Sequence, residues 1–288
     1  MKYGVRFAGR SACLAALLST LLLLPVAMFL APPAQAGSAK LPSHVTALYK
    51  ITFGILGDIG FFRFKSDVDG EDYNLSADAK IDTTVFDYNG TMTSTGNVFS
   101  AVFSAVTKPS HYTFQFKQKA LLSSSKKKSL GIGFDQTGVR EVRWVPPDDF
   151  PDGFIPVTKE QLRNVLDPLT GVMSLSVGDT ARPCERRLPI FDGRQRFDLV
   201  FTPAGSPVSP AADQVCHVKM IPISGYKRGE GSESVISGTI EVVLRPVPEA
   251  NIVIPYRVTV PTIIGAAVLT SEQADITMPD QQRIALRR

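Results

Sequence analysis

An alternation of apolar and polar residues, repeated along most of this chain, is the feature that most restricts its fold. In the clearest run, residues 73–81, every second residue is apolar and the residues between them are Asn, Ser, Asp and Lys. Because successive side chains of a strand point to opposite faces of a sheet, this period of two is typical of a half-buried strand. Further runs of this kind cover residues 47–55, 112–117, 196–201, 214–220, 236–244 and 252–260. The sequence therefore predicts a mainly β protein built on an antiparallel sheet.

One segment follows a helical period instead. Thr158 and Gln161 have the spacing of a capping box, and Asp167-Pro168 offers a second N-cap with proline at the first helical position. Apolar residues recur at helical spacing through this segment: Leu162, Val165, Leu166, Leu169, Val172 and Met173. We predict two short helices, or one kinked helix, whose apolar stripe packs against the sheet as core.

The start of the chain has the pattern of a secretory leader. Basic residues precede an apolar run over residues 12–30, and Ala34-Gln35-Ala36 has the small-x-small form of a cleavage site. We predict cleavage between Ala36 and Gly37, which removes residues 1–36 and leaves residues 37–288 as a single β-rich periplasmic domain. The apolar run is long enough for a retained membrane anchor, which is the alternative; no later segment is apolar enough for a second span.

Removal of the leader changes the charge balance. The whole chain has 31 Lys and Arg against 27 Asp and Glu, but Lys2, Arg6 and Arg10 lie in the leader, so the remainder is close to neutral. Nucleic-acid binding needs a surplus of Lys and Arg on one face, so no nucleic-acid partner is expected. Residues 126–128 form a short run of lysines, which we interpret as a solvated hairpin tip rather than a contact with an anionic surface.

Two cysteines, Cys184 and Cys216, remain once Cys13 leaves with the leader. Exported proteins fold in an oxidising compartment, so we predict a disulfide between them that pins a hairpin of two strands, residues 194–201 and 214–220. A bridge that closes about 30 residues stabilises a fold by about 3–4 kcal/mol in the chain-entropy model. The alternative, a reactive thiol pair, needs a close CxxC-like motif that this sequence lacks.

No local motif for catalysis, a cofactor or a metal is present. The three histidines are widely separated in the sequence: His44, His111 and His217. They lack the spacing of metal ligands, and no GxSxG motif supplies a hydrolase nucleophile. We therefore predict no metal site, no cofactor and no catalytic residue.

Two polar clusters are candidates for a site. Three carboxylates lie in a Pro-rich loop: Asp148, Asp149 and Asp152. An acid/base pair is one interpretation of them, but solvated loop charges are the favoured one. Beside the predicted disulfide lies a second cluster: Arg186, Arg187, Asp192, Arg194 and Arg196. Arginine pairs well with carboxylate or phosphate groups, so this candidate polar rim could meet an acidic headgroup or partner; the favoured interpretation is a turn at residues 192–193 with arginines on a solvated strand face.

Short motifs along the chain carry a resemblance to known families. They are Gly57-Asp58-Ile59-Gly60 after the strand at residues 49–54, the strand at residues 73–81, Thr93-Ser94-Thr95-Gly96, Pro109-Ser110-His111-Tyr112, Leu166-Asp167-Pro168-Leu169, Phe191-Asp192-Gly193-Arg194 and Ile254-Pro255-Tyr256-Arg257. The chain resembles an exported proteobacterial family known as domain of unknown function 3108. More loosely, it is similar to envelope-integrity proteins of alphaproteobacteria, which are exported β-spirals with one disulfide. The resemblance implies a curved sheet in a barrel-like or spiral form with a helix on its inner face, and it supplies no catalytic residues.

These observations favour a non-enzymatic periplasmic protein with a structural or binding role in the cell envelope. A lipid or an envelope protein is the expected partner, and the concave side of the sheet is the expected place for an apolar ligand or lipoprotein segment. The alternative is a periplasmic hydrolase whose site is not visible as a local motif. A nucleophile within hydrogen-bond reach of a histidine, inside a pocket, would favour the hydrolase.

Overall fold

The structure is a computed structural model, and it describes residues 40–100, 104–121, 123–205, 209, 212–227 and 236–288. Within these residues the chain forms one α-helix, α1 (Pro168–Val177), and sixteen strands. The strands are β1 (His44–Phe53), β2 (Gly57–Asp69), β3 (Asp72–Asp82), β4 (Phe86–Ser100), β5 (Ala105–Ala120), β6 (Lys126–Phe134), β7 (Val139–Val145), β8 (Phe154–Ile155), β9 (Arg186–Phe191), β10 (Arg196–Pro203), β11 (Gln214–Ser224), β12 (Tyr226–Lys227), β13 (Ile240–Val247), β14 (Ile252–Thr262), β15 (Gly265–Thr277) and β16 (Arg283–Arg287).

Fourteen of the strands form one antiparallel sheet. Its order is β7-β6-β5-β4-β3-β2-β1-β15-β14-β13-β11-β10-β9, with β16 paired to β15 beside this path. The two shortest strands, β8 and β12, pair with each other. Strand β1 lies in the middle of the sheet between β2 and β15, so the first and the last long strands of the described chain are neighbours.

The sheet curves around α1. The helix contacts β3, β4 and β5 in one half of the strand order and β9 and β14 in the other half. Side chains from both halves form one apolar core with Leu169, Met173 and Val177 of the helix. The predicted fold class is confirmed: the protein is mainly β, with a curved antiparallel sheet and a helix on its inner face. The sheet is not closed, because β7 and β9 end the order without pairing.

The second of the two predicted helix starts is the one that forms. Asp167 caps α1, and its Oδ1 accepts hydrogen bonds from the backbone N–H groups of Leu169 and Thr170, both at 3.0 Å. The capping box of Thr158 and Gln161 is also present, with the Thr158 N–H donating to Gln161 Oε1 at 3.0 Å, but no helix follows it. The prediction of a helix through residues 162–166 is wrong.

Residues 162–166 connect the two ends of the sheet and form turns and isolated bridges instead of a helix; we call this segment the seam. The Leu162 carbonyl accepts from the Val139 N–H of β7 at 3.1 Å. At the other end, the Leu166 N–H donates to the Pro189 carbonyl at 2.8 Å, and the Phe191 N–H donates to the Leu166 carbonyl at 2.9 Å. Backbone bonds to both terminal strands outweigh the helical preference of the side chains in this segment.

The cysteine bridge is present. Cys184 and Cys216 are both buried and bonded, with their Cα atoms 5.2 Å apart. The predicted hairpin corresponds to β10 and β11, which pair antiparallel. Cys184 precedes β9, which pairs with β10 rather than with β11. The bridge therefore spans β10 and joins the segment before β9, the end strand of the sheet, to β11.

Two strands of the C-terminal half, β14 and β16, have features that their sequence pattern does not show. Pro255 lies in an interior strand, and the register between β13 and β14 shifts beside it, so a bulge accommodates the proline. Residues 278–288 carry no packing pattern that we recognise in the sequence, yet Arg283–Arg287 forms β16 against β15.

The predicted cleavage site, Ala36 and Gly37, lies outside the described residues, and so does Cys13. Export, the cleavage point and the single domain over residues 37–288 stay predictions. Among the described residues, none belongs to a helix with the length and apolar character that a membrane crossing requires.

Candidate functional site

The interior beside α1 leaves little room for a ligand. An apolar crevice between the helix, β1, β2 and β14 has a volume of about 40 Å³. Ligand pockets typically enclose about 300–1,000 Å³, so this crevice does not hold an acyl chain. The concave side of the sheet, where we expected an apolar ligand, is filled by the core.

A much larger cleft opens where the two ends of the sheet approach each other. It lies between β7, the loop of residues 147–157 and the β9–β10 turn, and its volume is about 900 Å³. We call it the end cleft. It is lined by Val142, Arg143, Trp144, Pro147, Asp148, Phe150, Pro151, Asp152, Gly153, Phe154, Pro156, Val157, Leu162, Phe191, Gly193 and Arg194.

Aromatic side chains form much of the wall of the end cleft. The rings of Phe150 and Phe154 are tilted against each other, with their centroids 4.5 Å apart. The guanidinium of Arg194 lies over both rings, 5.9 Å from the Phe150 centroid and 5.5 Å from that of Phe154. Trp144, on β7, donates its indole N–H to the Gly193 carbonyl at 3.2 Å. This bond fixes the β7 side of the cleft to the β9–β10 turn.

A carboxylate with two cationic partners lies at the base of this wall. Asp148 Oδ1 is 2.6 Å from Lys128 Nζ, and Asp148 Oδ2 is 2.9 Å from Arg194 Nη1. Only 6% of the Asp148 side chain is exposed. The Lys128 ammonium also lies over the Trp144 ring, 5.7 Å from its centroid. Two cations thus share one carboxylate at this point of the wall.

Local sequence explains how these groups come together. Strand β7 ends at Val145, directly before Pro146 and Pro147; two successive prolines have no backbone N–H to donate to a strand ladder. Pairing of β8 with β12 then holds Phe154 against the other end of the sheet. On the opposite side, Gly193 adopts a φ of +95°, and Asp192 Oδ1 accepts from the Arg194 and Gln195 N–H groups at 2.9 and 2.6 Å. This tight turn directs Arg194 into the end cleft.

The residues of the predicted polar rim do not form one surface. Arg186 donates to the Ser174 carbonyl at 2.6 Å and so caps the C-terminal end of α1, a position that favours a cation. Asp192 shapes its turn, and burial raises the pKa of its carboxyl group. Of the five, Arg194 is the residue that lines the end cleft.

The two remaining arginines of the predicted rim, Arg187 and Arg196, bind the buried carboxylate of Asp198. Arg187 Nε donates to Asp198 Oδ2 at 2.7 Å, and Arg196 Nη1 donates to Asp198 Oδ1 at 2.6 Å. Arg196 Nε also donates to the Gln161 carbonyl at 3.1 Å, which ties β10 to the segment before the seam. These contacts hold strands together, and the arginines are not a free rim for a ligand.

The three carboxylates of the Pro-rich loop, Asp148, Asp149 and Asp152, differ in their surroundings. Asp152 lines the end cleft and Asp149 is exposed, as expected for loop charges. The interpretation as solvated charges is wrong for Asp148, whose side chain is almost buried between Lys128 and Arg194. The sequence carries no signal for this ion pair, because its partners lie on β6 and in a turn far along the chain.

The histidines lie apart from the end cleft. His44 Nδ1 is 2.6 Å from Asp67 Oδ1, and its Nε2 is 2.9 Å from Thr46 Oγ1. This has the connectivity of a hydroxyl–histidine–carboxylate triad. The three side chains lie on adjacent positions of β1 and β2, and they line neither the crevice beside α1 nor the end cleft. No group of three His, Cys, Asp or Glu side chains in the described part of the chain is arranged to hold a metal ion.

Comparisons with known proteins leave the family open. No protein-family model matches the chain, and no curated protein matches it. Among solved structures, a beta-barrel-like protein of domain of unknown function 1849 from Brucella abortus is similar, with a TM-score of 0.47 and 14% sequence identity. The match covers 82% of this chain and 98% of that one. The resemblance to domain of unknown function 3108 stays a prediction.

Proposed function

We propose that this chain is an exported, non-enzymatic binding protein of the cell envelope, and that its end cleft takes an acylated peptide segment of a lipoprotein. The observation that carries the proposal is the 900 Å³ cleft beside an edge strand, walled by Trp144, Phe150 and Phe154. Its size suits an extended apolar segment. The near-neutral composition after the leader and the export pattern of residues 1–36 support a role in the envelope.

Edge strand β7 gives this proposal a binding mode. It ends the sheet order, and the seam bonds to its start at Val139, so the edge beyond Val139 can add a further strand from an extended peptide, as edge strands do in β-augmentation. Main-chain hydrogen bonds would supply affinity, and the aromatic wall would take alternate apolar side chains or an acyl chain. Phe150 is 59% exposed, so the wall presents apolar surface to solvent.

The test uses the single tryptophan of the protein. Trp144 is the only tryptophan in the sequence and it lines the end cleft, so its emission reports on this site. Titration with a synthetic diacylated peptide should shift the emission to shorter wavelength and saturate, whereas the unacylated peptide should bind more weakly. Phe150→Ser should weaken binding by about tenfold, because an apolar contact of about 1.4 kcal/mol is lost.

The matched control is Phe99→Ser. Phe99 is also an exposed phenylalanine, but it lies on β4 away from the end cleft. This variant should bind like the wild type. An unchanged Trp144 emission with the acylated peptide, or equal losses in both variants, would show that the end cleft does not bind this ligand.

The hydrolase alternative rests on the Thr46–His44–Asp67 arrangement alone. A triad needs a substrate pocket and hydrogen-bond donors for the developing oxyanion, and this one lies on a sheet face where neighbouring strands use the backbone groups. If the arrangement is catalytic, the purified protein will hydrolyse a simple activated ester and Thr46→Ala will abolish the activity. Equal rates for the two proteins would leave the binding proposal as the better account.

A further inference from the structure

The exposed apolar side chains of this protein concentrate at one rim of the sheet. Four hairpins turn at this rim: β14–β15, β1–β2, β3–β4 and β5–β6. Their tips carry exposed aliphatic residues: Ile263 and Ile264, Ile55 and Leu56, Val85, and Leu121. Ile55 is fully exposed, and Ile264 is 78% exposed. Hairpin turns normally carry Gly, Asn, Asp, Ser or Pro, so paired isoleucines and leucines at the tips have no explanation in turn geometry.

Sheet order places these tips side by side. The strands run in the order β14-β15-β1-β2-β3-β4-β5-β6, so the four hairpins are consecutive neighbours. A Cβ built on Gly265 would lie only 3.6 Å from the Cα of Gly54, which puts the first two tips in contact. The Leu121 N–H donates to the Val85 carbonyl at 2.8 Å, which joins the last two. With strands about 4.8 Å apart, the row of tips follows the curve of the sheet for about 30 Å.

Basic residues flank this row of tips. Residues 105–134 contain no Asp or Glu, and five lysines lie close to the β5–β6 tip: Lys117, Lys119, Lys126, Lys127 and Lys128. Lys117 and Lys127 are directly opposite each other across β5 and β6. Like charges in that position destabilise a sheet unless an anion lies nearby.

Acidic groups lie beside some of these lysines but not beside all of them. Asp87 is directly opposite Lys119 on the adjacent strand, and Lys128 is bound to Asp148. Asp58 is 3.2 Å from Lys50, and Asp82 is 3.2 Å from Lys80. Each of these carboxylates already has a lysine beside it on its own or the adjacent strand. The rim thus combines protruding aliphatic side chains with positive charge on Lys117, Lys126 and Lys127, for which the described residues provide no ion pair.

We propose that this rim docks on a lipid bilayer that contains anionic phospholipids. The aliphatic tips insert into the boundary between headgroups and acyl chains, as apolar side chains of interfacial proteins do, and the lysines contact the phosphates. A bilayer fits better than a protein partner because the apolar groups protrude as separate tips along a curved edge and do not form a flat patch or a groove. The end of β7 lies at this same rim, so docking would bring the end cleft next to the membrane.

The test is co-flotation of the purified protein with lipid vesicles. The wild-type protein should float with vesicles of phosphatidylcholine and phosphatidylglycerol, float less with phosphatidylcholine alone, and bind more weakly at high salt. Combining Ile55→Ser with Ile264→Ser should lower the fraction bound, equivalent to about a tenfold loss of affinity. Combining Lys126→Gln with Lys127→Gln should lower it by tenfold or more on the anionic vesicles alone.

Val106→Ser is the matched control. Val106 is exposed to about the same degree as Leu56 and Val85 of the tips, but it lies at the opposite rim, at the start of β5. This variant should float like the wild type, and all variants should keep the wild-type melting temperature because their side chains are exposed. Failure of the wild type to float with anionic vesicles would overturn the proposal, and so would flotation that the tip substitutions leave unchanged.

Discussion

Asp167 is a carboxyl group buried among neutral hydrogen-bond donors. Its Oδ2 accepts from the Ser94 hydroxyl at 2.8 Å and from the Thr170 hydroxyl at 2.6 Å, and Tyr73 contacts Thr170 in turn at 2.8 Å. No cation accompanies it among the hydrogen bonds and ion pairs of the described residues. Burial therefore raises the pKa of Asp167, in spite of these bonds.

A raised pKa makes the stability contribution of Asp167 depend on pH. The folded state binds the proton more tightly than the unfolded state, so stability falls as pH rises from about 4 through the folded-state pKa. Asp167→Asn keeps the shape and removes the titration. We expect the stability of the wild type, measured against Asp167→Asn by urea denaturation, to decline over this pH range. A difference that is flat or increases with pH would contradict the assignment.

The sequence marked Asp167 as an N-cap, and the structure confirms that role. It gave no sign that the carboxyl group would be buried or that Ser94 and Tyr73 would meet it. Those partners come from β3 and β4, and their arrival depends on how the sheet curves around α1. A local pattern predicts the bond that a residue makes to its own segment, and it does not predict bonds between distant segments.

At the scale of elements, the disulfide joins β11 to the segment before β9 across β10. Removal of a native disulfide typically costs about 2–5 kcal/mol. We expect Cys184→Ser and Cys216→Ser each to lower the melting temperature, and the double variant to be no less stable than either single one, because each substitution already removes the whole bridge. Calorimetry of the three variants measures this, and additive losses would mean that the two cysteines stabilise the fold separately.

The seam supplies a second prediction at this scale. Gly138 has a φ of +146°, and a Cβ on it would lie 2.1 Å from the Leu162 carbonyl oxygen. Gly138→Ala should therefore displace the seam and destabilise the protein by about 1–3 kcal/mol. A Cβ added to Gly131, on β6, would meet no other atom within 4 Å. Gly131→Ala should therefore be neutral or slightly stabilising. Chemical denaturation of the pair is the measurement, and equal stabilities would show that the seam tolerates the shift.

Elements with a strong hydrophobic period could be predicted from the sequence. Elements whose conformation depends on pairing with distant segments could not. The alternation at residues 73–81 became β3, and the hairpin of β10 and β11 formed where we expected it. Residues 162–166 carry a helical pattern but form turns and isolated bridges, because Val139, Pro189 and Phe191 provide backbone partners for them. The end cleft was not predictable, since Trp144, Phe150 and Arg194 meet only when the two ends of the sheet approach each other.

For the whole molecule, export is the prediction that decides where the protein acts. If the leader is cleaved as proposed, N-terminal sequencing of the exported protein should begin Gly-Ser-Ala-Lys, from Gly37 onwards. A membrane-bound product that retains residues 12–30 would show that the leader is an anchor. Such an anchor would hold the protein at a membrane without any contribution from the hairpin tips. N-terminal sequencing therefore also decides whether the tips are needed for membrane attachment.

The position of β1 has a consequence for how this chain reaches its folded state. Its partner β15 lies more than 200 residues along the chain, as the bond from Ser43 Oγ to the Thr277 carbonyl, with a sequence separation of 234, illustrates. Strands β2 to β7 can pair with their neighbours early, but β1 keeps one open edge until the last part of the chain has emerged. Contacts between such distant segments slow folding and leave strand edges exposed to aggregation. If the chain is exported as predicted, the open edge of β1 stays available for pairing with other chains until the C-terminal strands arrive.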